Sequence, residues 1–243
     1  MKLALPKPPF AIAHRGFSSQ YPENTLASFD AALGAGAVML EMDLTLSKDR
    51  VIVVIHDETL DRTTNGTGLV SSQNWPDLQK LDAGSWFSEA FAGEALPSLD
   101  QVLERYEGKI CLNLEIKPEA YEASQPADSL VAQLLQKLKE RDILGQILVS
   151  SFLIDPLIQL AALEPSLKLA FLDYQPLDQE QLEGLTKINA YSWNPNADLV
   201  TAEEINLIKS KGYKVFPYTV NDPKEQQRLY ALGVDGMFSD SPL

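Results

Sequence analysis

Nine short apolar runs recur along the chain, most of them separated by helix-like segments, and this alternation restricts the fold more than any other feature. The runs cover residues 10–14, 38–46, 51–56, 110–116, 146–151, 167–172, 188–193, 213–220 and 236–240. Helical segments are predicted over 23–33, 99–106, 128–140, 155–163, 178–185, 202–211 and 222–232. Near-continuous apolar strands with helices between them predict a parallel sheet covered by helices. The 243 residues match the roughly 250 of a (β/α)₈ barrel, so a TIM-type barrel forming one domain over residues 1–243 is expected.

Nine candidates compete for eight barrel places. Ser47, Lys48, Asp49 and Arg50 form a polar turn too short for a parallel crossover. Residues 51–56 are therefore expected to run antiparallel to residues 38–46, as an extra hairpin arm. Residues 58–97 then break the rhythm. They are rich in Gly, Ser, Thr and Asn, with Trp75, Trp86, Phe87 and Phe91 among them. A structureless loop of that length is unusual. A small insertion packed by its aromatics is expected, either as an ordered loop region or as a lid shaping access.

Net charge is −14, from 34 acidic and 20 basic residues. That argues against nucleic acid as a partner, because such binding usually rests on a basic patch. A small anionic ester remains possible where a cation and a few basic side chains reverse the field. The one cysteine, Cys111, permits no internal disulfide, and the start carries Pro6, Pro8 and Pro9 within a short apolar run. No stretch approaches the roughly 20 apolar residues of a membrane span. A cytoplasmic location is the expectation. No sequence feature specifies an oligomeric state.

In a barrel of this kind, catalytic groups project from the C-terminal strand ends. Here those ends are polar: His14, Arg15 and Gly16 close the first run; Glu41 and Asp43 lie in the second; His56 and Asp57 end the hairpin arm; Glu115 and Lys117 end the fourth. Residues two apart on a strand share a face, so Glu41 aligns with Asp43 and Glu115 with Lys117. Paired buried carboxylates are costly unless a cation joins them. Glu41, Asp43 and Glu115 would form a hard, all-oxygen cage suited to Mg²⁺ or Ca²⁺. Structural salt bridges to Arg15 and Lys117 are the competing explanation. His14 and His56 are the only two histidines, and both follow strands, which suits an acid–base pair. Arg15 and Lys117 suit a phosphoryl group.

His14-Arg15-Gly16, Pro22-Glu23-Asn24-Thr25, Glu41-x-Asp43, His56-Asp57 and Arg62-Thr63-Thr64-x-Gly66-x-Gly68 resemble the glycerophosphodiester phosphodiesterase family. The similarity continues through Pro97-Ser98-Leu99, Glu115-Ile116-Lys117, Thr219-Val220-Asn221 and Gly233-Val234-Asp235-Gly236. The resemblance implies a TIM barrel with a small insertion after the hairpin. It implies one divalent cation held by Glu41, Asp43 and Glu115, an acid–base pair of His14 and His56, and phosphate contacts from Arg15 and Lys117. The implied substrate is a small glycerophosphodiester, such as glycerophosphocholine or glycerophosphoethanolamine, split into an alcohol and glycerol 3-phosphate. Many members carry Trp where this chain has Tyr218, which keeps an aromatic face with an added hydroxyl. Trp193 is a second candidate wall, weighed against a core position. Glu23, Asn24 and Thr25 are expected to begin the first helix, with a capping role. Asp57 and Asn221 are candidates for orienting active-site groups.

Two other functions fit the same residues less well. A lysophospholipase D-type or other lipid phosphodiesterase would favour an exposed apolar rim. A barrel that binds phosphoesters without catalysis would lack at least one of the seven residues His14, Arg15, Glu41, Asp43, His56, Glu115 and Lys117, and all are present.

Overall fold

The alternation of inward and outward side chains along each strand builds two cores at once. In the computed structural model, which describes residues 3–241, β1 (Phe10–Ala13), β2 (Met39–Leu46), β4 (Cys111–Ile116), β5 (Ile147–Ser151), β6 (Lys168–Asp173), β7 (Ser192–Pro195), β8 (Lys214–Val215) and β9 (Gly236–Ser239) form the barrel. Leu40, Met42, Leu44, Leu112, Leu114 and Ile116 face outward and pack in the large core shared with the helices. Ile12, Met39, Cys111, Leu148, Phe216 and Phe238 face inward and fill the barrel interior. On β2 and β4 the inward positions that follow Met39 and Cys111 are Glu41, Asp43, Asn113 and Glu115, all buried. Polarity thus rises along the inward face toward the C-terminal mouth, where this fold builds its sites.

The strand order is β8-β7-β6-β5-β4-β2-β1-β9. Every neighbouring pair in that path is parallel. The remaining seam is joined by main-chain bonds from Asp235 N to Val215 O at 3.0 Å, Phe238 N to Pro217 O at 2.9 Å and Val220 N to Phe238 O at 2.8 Å. β3 (Ile52–Val54) pairs with β2 antiparallel, Leu44 opposite Val54 and Leu46 opposite Ile52. The hairpin arm is therefore present as expected.

Helices α1 (Leu26–Gly34), α3 (Leu99–Tyr106), α4 (Leu130–Glu140), α5 (Ile154–Leu163), α6 (Gln179–Lys187), α7 (Ala202–Ser210) and α8 (Pro223–Ala231) lie between strands. Their starts follow local chemistry. Ser98, Asp178 and Thr201 each close a capping box, with Gln101, Gln181 and Glu204 as reciprocal partners. No helix among the described residues is long and apolar enough to cross a membrane.

Residues 58–97 contain only the short helix α2 (Trp75–Leu78) and two 3₁₀ turns. Leu60, Val70, Leu78, Ala83 and Leu96 gather over Val53 and Ile55 of the arm in a small core of their own. Trp86, Phe87 and Phe91 form a run of edge-on ring contacts beside it.

Three boundaries differ from expectation for identifiable reasons. The run at 188–193 becomes a strand only at Ser192, because Ile188 caps α6 and Asn189 turns left-handed at φ 48°. The run at 213–220 keeps regular pairing only at Lys214 and Val215; Pro217 has no N–H to give, and the chain bends to meet β9. The first helix starts at Leu26 rather than Glu23, because Asn24 sits at φ 57° and Thr25 is the cap.

Candidate active site

The tight turn after β1 sets the first group in place. Gly16 has φ 86°, and a Cβ there would stand 2.3 Å from Ser28 Oγ, so only glycine fits. Arg15 itself is left-handed at φ 55°. That conformation lets its backbone N donate to Glu41 Oε2 at 2.8 Å. Its guanidinium reaches Asp43 Oδ2 at 3.4 Å and Glu23 Oε1 at 2.9 Å.

Glu41 and Asp43 share a face as their spacing required, and the β2–β4 register, with Asp43 opposite Glu115, brings the third carboxylate to them. One carboxylate oxygen from each lies within 4.8 Å of the others, and all three residues are buried. Lys117 Nζ sits 3.0 Å from Glu115 Oε1 and 3.5 Å from Asp43 Oδ1. Asn24 Nδ2 donates to Asp43 Oδ2 at 2.8 Å. Glu41 Oε1 is buried with no hydrogen-bond partner among the described residues. A buried, unpartnered carboxylate oxygen within an all-oxygen anionic set is what a hard divalent cation satisfies. The residues fit such a metal, and salt bridging to Arg15 and Lys117 leaves one of their oxygens unexplained.

Three carboxylates against two cations leave the cluster short of positive charge. Burial, then Asp43 and Glu115, pushes the Glu41 carboxyl well above the carboxylate range. Burial, then Asp43, raises Glu115 to about 7 despite Lys117. Burial also opposes ionisation of Asp43, but Arg15, Lys117 and His56 outweigh it and hold that carboxyl at about 2. A stability prediction follows from the sign of these shifts. Folded Glu115 keeps its proton to about pH 7, whereas an unfolded carboxyl loses it near 4.5. Between those values an unfolded Glu115 binds fewer protons than the folded one, so its contribution weakens folding as pH rises; the raised Glu41 adds to this, and the lowered His56 offsets part of it. Thermal melts of the cation-free protein should therefore fall from about pH 5 to about pH 7.5, and Mg²⁺ or Ca²⁺ should remove most of that fall. A flat profile without cations would contradict this charge balance.

Each histidine is anchored by an aspartate. His14 Nδ1 donates to Asp240 Oδ1 at 2.7 Å, and His56 Nδ1 donates to Asp57 Oδ1 at 2.7 Å. A carboxylate only accepts, so in the neutral imidazole Nε2 is left free. Asp240 also accepts from Ser18 Oγ at 3.1 Å and from Asn221 Nδ2 at 2.6 Å. Burial, then the nearby Arg15 and Lys117 charges, lowers the His56 pKa against the pull of Asp43.

These groups open on one cavity of about 360 Å³, lined by His14, Arg15, Glu41, His56, Glu115 and Lys117. Phe152, Tyr174 and Tyr218 supply an aromatic wall. Phe152 stacks on Tyr174 at 3.9 Å and meets Tyr218 edge-on at 5.6 Å. Tyr218 Oη donates to Asp173 O at 2.8 Å, which fixes its ring. Trp193 is a correction. It has no exposed surface and packs in the outer core among helix-facing residues. Its neighbours Ser192 and Asn194, bonded to each other, take the other face of the strand.

Asp240 belongs to none of the sequence motifs, and Glu23, Asn24 and Arg62 stand in them without a predicted site role. Asp240 lies 226 residues from His14, and no local pattern announces it. Glu23 and Asn24 serve the site rather than the helix; the capping role belongs to Thr25. Asp57 and Asn221 sit where an orienting role needs them.

A barrel mouth with an anionic oxygen cage, flanking cations and two aspartate-held imidazoles defines a phosphoester hydrolase of the (β/α)₈ class. The glycerophosphoryl diester phosphodiesterase family profile matches residues 14–243. The chain belongs to that family and is a glycerophosphodiester phosphodiesterase. It is 38% identical over 232 residues to the glycerophosphodiester phosphodiesterase of Caldanaerobacter subterraneus subsp. tengcongensis, covering 95% of this chain and 93% of that one. Identity to the glycerophosphodiester phosphodiesterase of Bacillus subtilis (strain 168) is 34% over 249 residues, covering 95% and 83%. Among solved structures, an Oleispira antarctica phosphodiesterase in complex with the product sn-glycerol-3-phosphate superposes with a TM-score of 0.87 at 34% identity, covering 97% and 94%.

Proposed function

We propose that this enzyme hydrolyses glycerophosphodiesters such as glycerophosphocholine or glycerophosphoethanolamine to the free alcohol and sn-glycerol 3-phosphate. One divalent cation, Mg²⁺ or Ca²⁺, would be held by Glu41, Asp43 and Glu115. The observation that carries this reading is the convergence of those three carboxylates beside two aspartate-anchored histidines. The sn-glycerol-3-phosphate held by the Oleispira antarctica relative supports the product assignment.

Arg15 and Lys117 hold the phosphodiester through charge-assisted hydrogen bonds to its non-bridging oxygens. A cation held by Glu41, Asp43 and Glu115 would add positive charge to the site. Tyr218 offers an aromatic face to the glycerol carbons, its hydroxyl already committed to Asp173. His56, held neutral by burial, takes the proton from the attacking oxygen at Nε2. His14, oriented by Asp240 at Nδ1, gives a proton to the leaving alcohol oxygen. The attacking oxygen is that of water or of the substrate's own glycerol hydroxyl; the second route gains from proximity.

A product assay on several glycerophosphodiesters and a lysophospholipid, with chelator and metal add-back, tests this. Release of sn-glycerol 3-phosphate that stops with chelator and returns with Mg²⁺ or Ca²⁺ is expected. Undiminished turnover after chelation, or cleavage to glycerol and a phosphorylated alcohol, would overturn it.

A further inference from the structure

The Arg62-Thr63-Thr64 motif has no part in the chemistry above, yet Arg62 is bonded to both halves of the site. Its Nε and Nη2 donate to Asp57 Oδ2 and Oδ1 at 2.7 and 2.9 Å. Its Nη1 and Nη2 donate to Glu23 Oε2 and Oε1 at 2.9 and 2.8 Å. One guanidinium therefore grips two carboxylates, each through both oxygens. Asp57 in turn accepts from His56 Nδ1 at 2.7 Å, and Glu23 accepts from Arg15 Nη1 at 2.9 Å. The result is an unbroken run of hydrogen bonds, His56, Asp57, Arg62, Glu23, Arg15, with the Arg15 guanidinium ion-paired to Asp43 at its end. It spans the segment after the hairpin arm and the turn after β1, which no regular sheet pairing joins.

We propose that Arg62 is a positioning residue that locks His56 and Arg15 into their working orientations through Asp57 and Glu23. The physical case rests on what each carboxylate would do alone. Asp57 is a quarter exposed and lies next to His56 in sequence, so water and other rotamers compete for it. Held at two oxygens by a planar fork, it has one orientation, and that orientation presents Oδ1 to Nδ1. His56 is then confined to the tautomer with Nε2 bare and facing the cavity. Glu23 is likewise held at both oxygens, and it keeps the Arg15 guanidinium turned toward Asp43. A lysine cannot reproduce this, because a single ammonium lacks the fork that serves two carboxylates. The Arg62 carbon lies 5.9 Å from the Trp86 ring centroid, so residues 58–97 also back the clamp.

The inference rests on the assigned roles of His56 and Arg15, and its test separates the two. With only two histidines in the chain, ¹⁵N-histidine NMR resolves both imidazoles, and His56→Gln assigns them. At about pH 8, wild-type His56 should show the single Nδ1–H tautomer. Arg62→Met should give a mixture at His56 while leaving His14, held by Asp240, unchanged; that unchanged signal also reports an intact fold. Turnover should drop about ten- to a hundredfold, as for other residues that orient an active-site group. Arg62→Lys should behave like Arg62→Met. In Arg62→Ala, guanidinium ion should restore part of the rate, since the Arg62 side chain is 44% exposed and its site open to solvent. A double variant with Asp57→Asn should be no slower than the slower single one. Unchanged His56 signals in Arg62→Met would overturn the proposal whatever the rate. Altered signals with normal turnover would overturn the catalytic part, and normal turnover of His56→Ala would then place the failure in the role given to His56.

Discussion

Glu41→Gln is expected to abolish turnover while making the cation-free protein more stable. Both effects come from one buried carboxyl. Glu41 is 1% exposed, and one of its oxygens has no partner among the described residues. It shares its surroundings with Asp43 and Glu115, against the two cations Arg15 and Lys117. Glutamine keeps the shape and the acceptor that Arg15 N uses, and it balances the cluster. Removing a buried carboxyl that must be held protonated in the fold, where the unfolded one would ionise, is worth on the order of 2 kcal/mol, or a rise in melting temperature of about 4–8 °C for a chain of this size. The same change removes a charged ligand, and with it the positive charge that stabilises the transition state, so a rate loss of at least about a hundredfold is expected. Melting curves and initial rates on one preparation check both. A variant that is less stable without cations, or that keeps wild-type turnover, would show that Glu41 serves the fold rather than a metal.

His14→Ala and His56→Ala should each lose about a hundred- to ten-thousandfold in kcat, the range for a positioned proton donor or acceptor. Neither loss should come from unfolding, because the two side chains are partly exposed, at 17% and 33%. Unequal pH behaviour should accompany the losses. Because burial lowers the His56 pKa, its neutral, proton-accepting form persists to lower pH than for a free histidine. The acid limb of kcat/KM should thus lie below about pH 6.5, and removing His56 should abolish that limb. Near-normal turnover of either variant would refute the paired role.

The sequence made some of this legible and concealed the rest for physical reasons. The period of two along a strand placed Glu41 with Asp43 and Glu115 with Lys117, and the polar turn at Ser47–Arg50 announced the hairpin. Those are local rules, readable within a few residues. Trp193 shows the limit of the same rule: alternation says which residues share a face but not which face is inward, and in β7 the helix-facing side takes the tryptophan. Asp240 and the Glu23–Arg62 pair are brought in by barrel closure and by the turn after β1, over separations of 226 and 39 residues. No composition or spacing predicts such contacts. Asn24 and Glu23 were hidden differently, by standing where a helix cap was the simpler explanation.

Calorimetric titration of the cation-free protein with Mg²⁺ and with Ca²⁺, repeated on Glu41→Gln, is the most direct check on the three-carboxylate cage. One divalent ion per wild-type chain, and no measurable binding to the variant, is the expected pair of results. Silence from the wild type with both ions, or equal affinity in the variant, would contradict the assignment of Glu41, Asp43 and Glu115 to a metal.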